Sequence, residues 1–65
     1  MDAAENIVVI KTVSGMAGAV AAPVDAMRMQ EIVGSLAGDD TILCVIRTSD
    51  DAVHIMKKLR KIVEQ

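Results

Sequence analysis

The chain has 65 residues, a formal net charge of -2 at pH 7 and a hydrophobic fraction of 52%, yet it contains no Phe, Trp or Tyr. A chain of this length forms one small domain that buries only about 60% of its unfolded surface, so its core must be aliphatic and its stability marginal. One Cys and one His cannot form an intrachain disulfide or a zinc site. The acidic balance without aromatic side chains argues against direct binding of nucleic acid.

The sequence carries no signal for secretion or for membrane insertion. No apolar run reaches the roughly 18 residues of a membrane span, and the first five residues, Met1-Asp2-Ala3-Ala4-Glu5, lack the basic start of a signal peptide. Cys44 lies in an apolar run, where a buried reduced thiol is the ordinary interpretation. We therefore expect a soluble cytoplasmic protein.

The first predicted element is a strand over residues 6–12, whose β-branched side chains make both of its faces apolar. Residues 41–48 show the same pattern. A two-layer domain of this length can cover only one face of its sheet with helices, so the second face is predicted to meet another subunit. Residues 1–5 are interpreted as a linker, an expression remnant or part of a missing strand, and residues 6–65 as the domain.

A helix is predicted over residues 15–29, with Ser14 as its N-cap. Its apolar stripe at helical spacing comprises Met16, Val20, Val24 and Met27. Pro23 removes a main-chain donor, so a kink or a break is expected there. Asp25 is a charge in an otherwise apolar segment, which fits an exposed surface carboxylate as well as a functional one.

Two apolar runs that close on Gly38-Asp39-Asp40 predict a β-hairpin with Gly38 as the first residue of a two-residue loop. The two carboxylates are then neighbours at the tip, where they repel and raise each other's proton affinity. Asp is also a common turn residue because it tolerates left-handed backbone angles. Local spacing leaves both interpretations open, a solvated turn and an acidic pair that binds a cation.

The last predicted element is an amphipathic helix over residues 49–65, with Thr48 as its cap and Asp51 in a capping box. Its apolar stripe comprises Ala52, Ile55, Met56, Leu59, Ile62 and Val63. The basic side chains near its end complement the helix dipole, which explains them better than anion binding. His54 shares their polar side and is interpreted as solvated.

The sequence does not indicate an enzyme. The Gly-Asp-Asp tripeptide is similar to the catalytic turn of viral RNA polymerases, but such a site needs a further acidic residue and basic groups for a triphosphate. The serines and His54 form no recognisable nucleophile and base. We expect no catalytic residue and no bound metal.

The predicted order of secondary-structure elements is β-α-β-β-α. The expected fold class is α/β, more narrowly an α+β two-layer sandwich. Its sheet is of the antiparallel type, and both helices cover one face. A sheet that begins near residue 6 is expected to lack an N-terminal edge strand of the full domain.

The segment Val33-Gly34-Ser35-Leu36-Ala37-Gly38-Asp39-Asp40-Thr41-Ile42-Leu43 resembles the C-terminal domain of bacterial arginine repressors. That family typically carries Gly-Thr-Ile-Ala-Gly-Asp-Asp-Thr-Ile at this place. The resemblance extends to Ile7-Val8-Val9-Ile10-Lys11-Thr12, to Ser14-Gly15-Met16-Ala17, to Val24-Asp25 and to Ile46-Arg47-Thr48. It covers nearly the whole chain from Asn6 onward.

The resemblance implies an arginine-sensing oligomerisation domain that forms trimers, paired as a hexamer, with L-arginine bound at the subunit interfaces as corepressor. Asp39 and Asp40 would hold the arginine, Ala37 would offer main chain nearby, and Asp25 would receive the amino group. Operator DNA would be bound by an N-terminal domain absent from this chain. The family's Gln contact to the ligand is missing, because Gly18 stands in its place. An amino-acid-binding module of the ACT type is the alternative.

Overall fold

The computed structural model describes residues 1–63. Its elements in chain order are β1 (Asp2–Ala4), β2 (Ile7–Lys11), α1 (Ala17–Ala26), β3 (Ile32–Ala37), β4 (Thr41–Ile46) and α2 (Ser49–Val63). The four strands pair antiparallel in the order β1-β2-β4-β3. Helix α1 packs on β3 and β4, and α2 packs on β1, β2 and β4. The predicted α+β arrangement with an antiparallel sheet is confirmed.

The sheet has one strand more than the sequence predicted, because residues 2–4 form the edge strand β1. Asp2 pairs with Val9 and Ala4 with Ile7. Glu5, at a φ of 54°, turns the chain back between the two strands. The order is therefore β-β-α-β-β-α. Three residues show too little alternation of apolar and polar side chains to reveal a strand by pattern alone.

The core is one aliphatic cluster between the sheet and the two helices. Its buried members from the sheet are Val8, Ile10, Ile42, Cys44 and Ile46, and those from the helices are Ala17, Ala21, Val24, Ala52, Ile55 and Leu59. Burial raises the pKa of the Cys44 thiol above its ordinary value, and the nearby Asp25 charge adds to the effect. The expectation that Cys44 is buried and outside any disulfide is confirmed.

Helix α1 buries a side that only partly overlaps the predicted stripe, because Val24 is buried and Val20 half-buried against the core. It begins at Ala17 after an N-cap at Met16, without a side-chain cap, so the assignment of Ser14 as the cap is wrong. The buried side is formed by Ala17, Ala21 and Val24, whereas Met16 and Met27 of the predicted stripe are exposed. Because the alanine side chains are small, the helix backbone can lie close to the sheet. Close packing in this orientation stabilises the fold more than burial of the methionine side chains would.

Pro23 lies inside α1, and the helix continues past it to Ala26. The predicted break is therefore wrong, while the alternative of a kink stays a prediction. Proline removes the main-chain donor that would otherwise bond to the carbonyl of Ala19, and the helix tolerates this loss without ending there. The N–H of Met27 donates to the carbonyl oxygens of Pro23 and Val24, which closes the last turn.

Helix α2 begins at Ser49 as predicted, but the predicted capping box is incomplete, because the Thr48 N–H does not bond to the Asp51 carboxylate. Its first turn is capped by Thr48, whose hydroxyl oxygen accepts the N–H of Asp51 at 3.1 Å. His54 is exposed, as expected. The predicted last two residues, 64 and 65, and the stripe side chains of Ile62 and Val63 lie outside the described residues. Neither helix within residues 1–63 has the length and apolar character needed to cross a bilayer.

The sheet face turned away from the helices is also aliphatic. We call it the open face, and it comprises Ile7, Val9, Leu36, Leu43 and Val45. Its members are cross-strand neighbours, since Ile7 pairs with Val45 and Leu43 pairs with both Val9 and Leu36. Leu36 is 72% exposed, Leu43 39% and Val45 36%. A contiguous apolar patch of this kind is typical of a subunit interface.

We predict that the chain assembles through the open face. Leu43→Lys places a charge at its centre and loses the transfer free energy of a buried leucine, about 1.5–3 kcal/mol, so the assembly should weaken at least tenfold. Val53→Lys on α2 is the matched control, because Val53 is 50% exposed on the other side of the molecule. Sedimentation velocity measures both. A wild-type chain that is a compact monomer at micromolar concentration would contradict the prediction.

Candidate ligand site

The acidic pair lies at the tip of the β3–β4 hairpin, as predicted, but the loop differs in detail. Gly38 and Thr41 face each other, with the Gly38 N–H donating to the Thr41 carbonyl at 2.8 Å, and Asp39 and Asp40 are the two residues between them. The strands are joined by three residues, Gly38, Asp39 and Asp40, rather than by the predicted two. None of the three has a left-handed φ, so the predicted two-residue turn with a left-handed Gly38 is wrong.

Main-chain hydrogen bonds fix the tip to the segment between β2 and α1. The carbonyl of Asp39 accepts the N–H of Ala17 at 3.2 Å, and the carbonyl of Asp40 accepts that of Thr12 at 2.7 Å. Ala17 is the first residue of α1. The tip is therefore held by two neighbouring elements, while the side chain of Asp39 remains exposed and that of Asp40 about half exposed.

Asp40 lies in a small polar cluster with Thr41 and Lys11. The Thr41 hydroxyl donates to one carboxylate oxygen of Asp40 at 2.9 Å, and the Lys11 ammonium lies 3.6 Å from the other. Lys11 also donates to the Thr41 hydroxyl at 2.9 Å. The hydrogen bond from Thr41, followed by the Lys11 charge, holds the pKa of Asp40 below its ordinary value. The expected increase in the proton affinity of Asp40 is therefore wrong, because its pKa is lowered and Asp39 is not among the causes.

Asp25 lies near the end of α1 and contacts β3. Its carboxylate accepts the Ser35 hydroxyl at 2.8 Å. Ser35 pairs with the buried Cys44 across the sheet, so the Asp25 contact lies on the helix side of β3. The carboxylate is exposed rather than part of the core. The position of the Asp25 carboxylate is set by one helix and one strand, which hold a side chain more precisely than a loop does.

The four predicted ligand residues lie along the edge strand β3 and do not form a single cluster. Asp25 contacts the middle of β3, Ala37 is its last residue, and the acidic pair follows it. Helix α1 starts beside Asp39, and Asp25 comes eight residues later, a rise of about 12 Å along the helix axis. One chain thus presents two separate carboxylate groups along the same edge.

The structure adds partners that the sequence analysis missed, namely Lys11, Thr41 and Ser35. Lys11 and Thr41 are register partners of β2 and β4, so a correct strand alignment would have placed them together. The Ser35 contact depends on how α1 packs over β3, for which the sequence carries no direct signal. Among residues 1–63 no three His, Cys, Asp or Glu side chains are grouped as metal ligands.

Comparison with known proteins decides the family. Residues 1–61 match the family described as "Arginine repressor, C-terminal domain". The chain belongs to this family. The match includes β1 and therefore the residues before the predicted start of the domain. It decides against the ACT-type alternative.

Curated relatives agree with this assignment. The arginine repressor of Lachnoclostridium phytofermentans is 57% identical over 63 residues, which are 97% of this chain and 41% of that protein. The arginine repressor of Lachnospira eligens is 55% identical over 64 residues, covering 98% and 42%. That of Acetivibrio thermocellus is 51% identical over 63 residues, covering 97% and 41%.

The chain spans about two fifths of the length of these relatives. They are named as repressors, which are regulators rather than enzymes. The assignment of the chain as a non-enzyme is confirmed by these names.

The polar cluster makes the ionisation of Asp40 testable. Thr41→Val and Lys11→Met should each raise the pKa of Asp40, the first by more, because the hydroxyl bond is the larger cause. The folded-state pKa lies below the unfolded value of about 3.9, so Asp40 adds stability above that pH and loses it as the pH falls through the folded value. Carbon-detected NMR titration of the carboxyl group measures the shift.

The exposed Lys57→Met on α2 is the control for the loss of one positive charge, and it should leave the titration of Asp40 unchanged. A wild-type Asp40 that titrates at or above the unfolded value would show that Thr41 and Lys11 do not stabilise its charged form.

Proposed function

We propose that this chain is the L-arginine-sensing oligomerisation domain of a transcriptional repressor of arginine metabolism. In this proposal arginine is the corepressor and binds at subunit interfaces, where it promotes the assembly that binds the operator. The observation that carries the proposal is the acidic pair, held by main-chain bonds at the end of a sheet whose open face is apolar. Ligand and assembly then use adjacent surfaces of one small domain.

The chemistry of the hairpin tip supports a cationic ligand. Asp40 is kept ionised by its surroundings and already lies beside the Lys11 ammonium. A guanidinium presents a planar fork of donors that carboxylates accept in pairs, whereas an ammonium is a point charge. Asp39 and Asp40, next to each other and accessible, therefore suit the side chain of arginine. Asp25 is proposed to receive its α-amino group, and the main chain at Ala37 to lie nearby.

The separation of Asp25 from the acidic pair supports a ligand site that is formed by residues of more than one subunit. Asp25 lies about 12 Å along the axis of α1 from Ala17, the residue bonded to Asp39, so each group is free to face a different molecule. Trimers formed through the open face and paired as a hexamer would bring such edges together. We propose this assembly, with no metal, as the state that arginine stabilises.

The DNA-binding part of the function is proposed for the full-length protein. This chain has a net charge of -2, and its basic residues are concentrated on α2. One of them, Lys58, is paired with Glu31 at 3.4 Å. A separate N-terminal domain would therefore contact the operator. A regulator of this kind works where the chromosome is, which is the cytoplasm of a bacterium.

L-Arginine should stabilise the assembly measurably. A ligand at a hundred times its dissociation constant adds about 2.7 kcal/mol per site when it binds the folded state alone, so the melting temperature should rise. Asp39→Asn and Asp40→Asn each remove a charge-assisted hydrogen bond of about 1.5–3 kcal/mol and should weaken arginine binding more than tenfold. Differential scanning calorimetry measures the melting temperature, and isothermal titration calorimetry measures the affinity.

The control variant is Asp50→Asn, which removes one exposed carboxylate at the start of α2. It should leave arginine binding unchanged. Lysine keeps the charge without the fork, and citrulline nearly keeps the outline without the charge, so both should bind more weakly than arginine. Unchanged arginine binding in both Asp39→Asn and Asp40→Asn would mean that the pair is an ordinary turn.

The isolated chain should not bind operator DNA. Its negative net charge opposes contact with phosphates, which supply most of the affinity of non-specific binding. An electrophoretic mobility shift at low salt, with and without arginine, is the measurement. Sequence-specific binding by the 65 residues would assign the DNA contact to this domain and overturn its assignment to a separate one.

A further inference from the structure

A surface pocket of about 160 Å³ lies where the end of α1 meets the start of β3. Its apolar wall includes Val24, Met29 and Ile32, and its two charged lining residues are Asp25 and Arg28. A water molecule occupies about 30 Å³ in the liquid, so the pocket has room for a group of several heavy atoms. Asp25 is the carboxylate proposed above to receive an α-amino group.

The backbone places the two charged residues together. The N–H of Arg28 donates to the carbonyl of Asp25 at 3.1 Å, so both belong to one turn at the end of the helix. Arg28 has a φ of 50°, in the left-handed region where glycine is the unstrained choice. Residues with strained backbone angles are common at ligand sites. The left-handed φ of Arg28 is therefore consistent with a role in ligand binding.

The charges in the pocket do not neutralise each other. Within residues 1–63 Asp25 and Arg28 form no ion pair, and the Arg28 guanidinium has no hydrogen-bond partner. The Asp25 carboxylate accepts one bond, from Ser35, and keeps further acceptor capacity. The pocket therefore offers an acceptor for an ammonium and a fork of donors for a carboxylate on neighbouring parts of one wall.

We propose that Arg28 binds the α-carboxylate of the amino acid whose α-amino group is received by Asp25. The pair would recognise the zwitterionic head of the ligand and so select α-amino acids over simple cationic amines. This inference rests on the proposed function, because it adds a specificity residue to the same arginine site. A guanidinium forms bidentate hydrogen bonds with a carboxylate, whereas an ammonium does not, so Arg suits this position better than Lys.

Titration calorimetry with L-arginine and with agmatine, its decarboxylated analogue, tests the assignment. The wild-type chain should bind agmatine at least tenfold more weakly than arginine. Arg28→Gln should weaken arginine by a similar factor and leave agmatine unchanged, so that the preference disappears. Arg60→Gln is the matched control, since it removes the same charge from an exposed position near the end of α2, and it should change neither ligand.

Arg28→Gly separates binding from folding. Glycine relieves the left-handed backbone, so this variant should melt at the same or a higher temperature while losing the preference for arginine. An unchanged ratio of the two affinities in both Arg28 variants would overturn the role of Arg28 and leave the arginine site itself intact. A wild-type chain that binds neither ligand would overturn the proposed function together with this inference.

Discussion

The structure depends on one constraint, which is that a chain of 65 residues with two short helices can cover only one face of a four-stranded sheet. The covered face holds the buried aliphatic core, while Leu36, Leu43 and Val45 on the other face stay accessible. Because the core has no aromatic side chains, its stability comes from many small aliphatic contacts. The stability of the single chain is therefore marginal. Burial of the open face by other copies would supply what the single chain lacks.

The proposed ligand site lies at the end of the same sheet, beside its open face. The hairpin tip is fixed by bonds from Thr12 and Ala17, so the acidic pair stands at the end of the sheet instead of moving with a free loop. A carboxylate kept ionised beside an interface repels its equivalent in a neighbouring copy, and a cationic ligand removes that repulsion. In the proposed function, ligand binding and assembly would be coupled through charge, without a change of fold in the subunit.

Much of this could be predicted from the sequence, for identifiable reasons. The hairpin and α2 carry strong local signals, a turn between two aliphatic runs and a capped amphipathic repeat, and both are present. The buried side of α1 was predicted only in part, at Val20 and Val24. Packing distance, not side-chain size, decided the rest, so that Ala21 is buried and Met27 is not. The Lys11 contact to Asp40 and the left-handed Arg28 depend on register and backbone angles, which periodicity does not report.

Sedimentation equilibrium of the 65-residue chain with and without L-arginine tests the central claim, that ligand and assembly share one set of surfaces. The account predicts a mass that is a multiple of three chains without ligand and a shift from trimer toward hexamer as arginine is added. A chain that is monomeric in both conditions, or an assembly whose mass and stability are indifferent to saturating arginine, would contradict it.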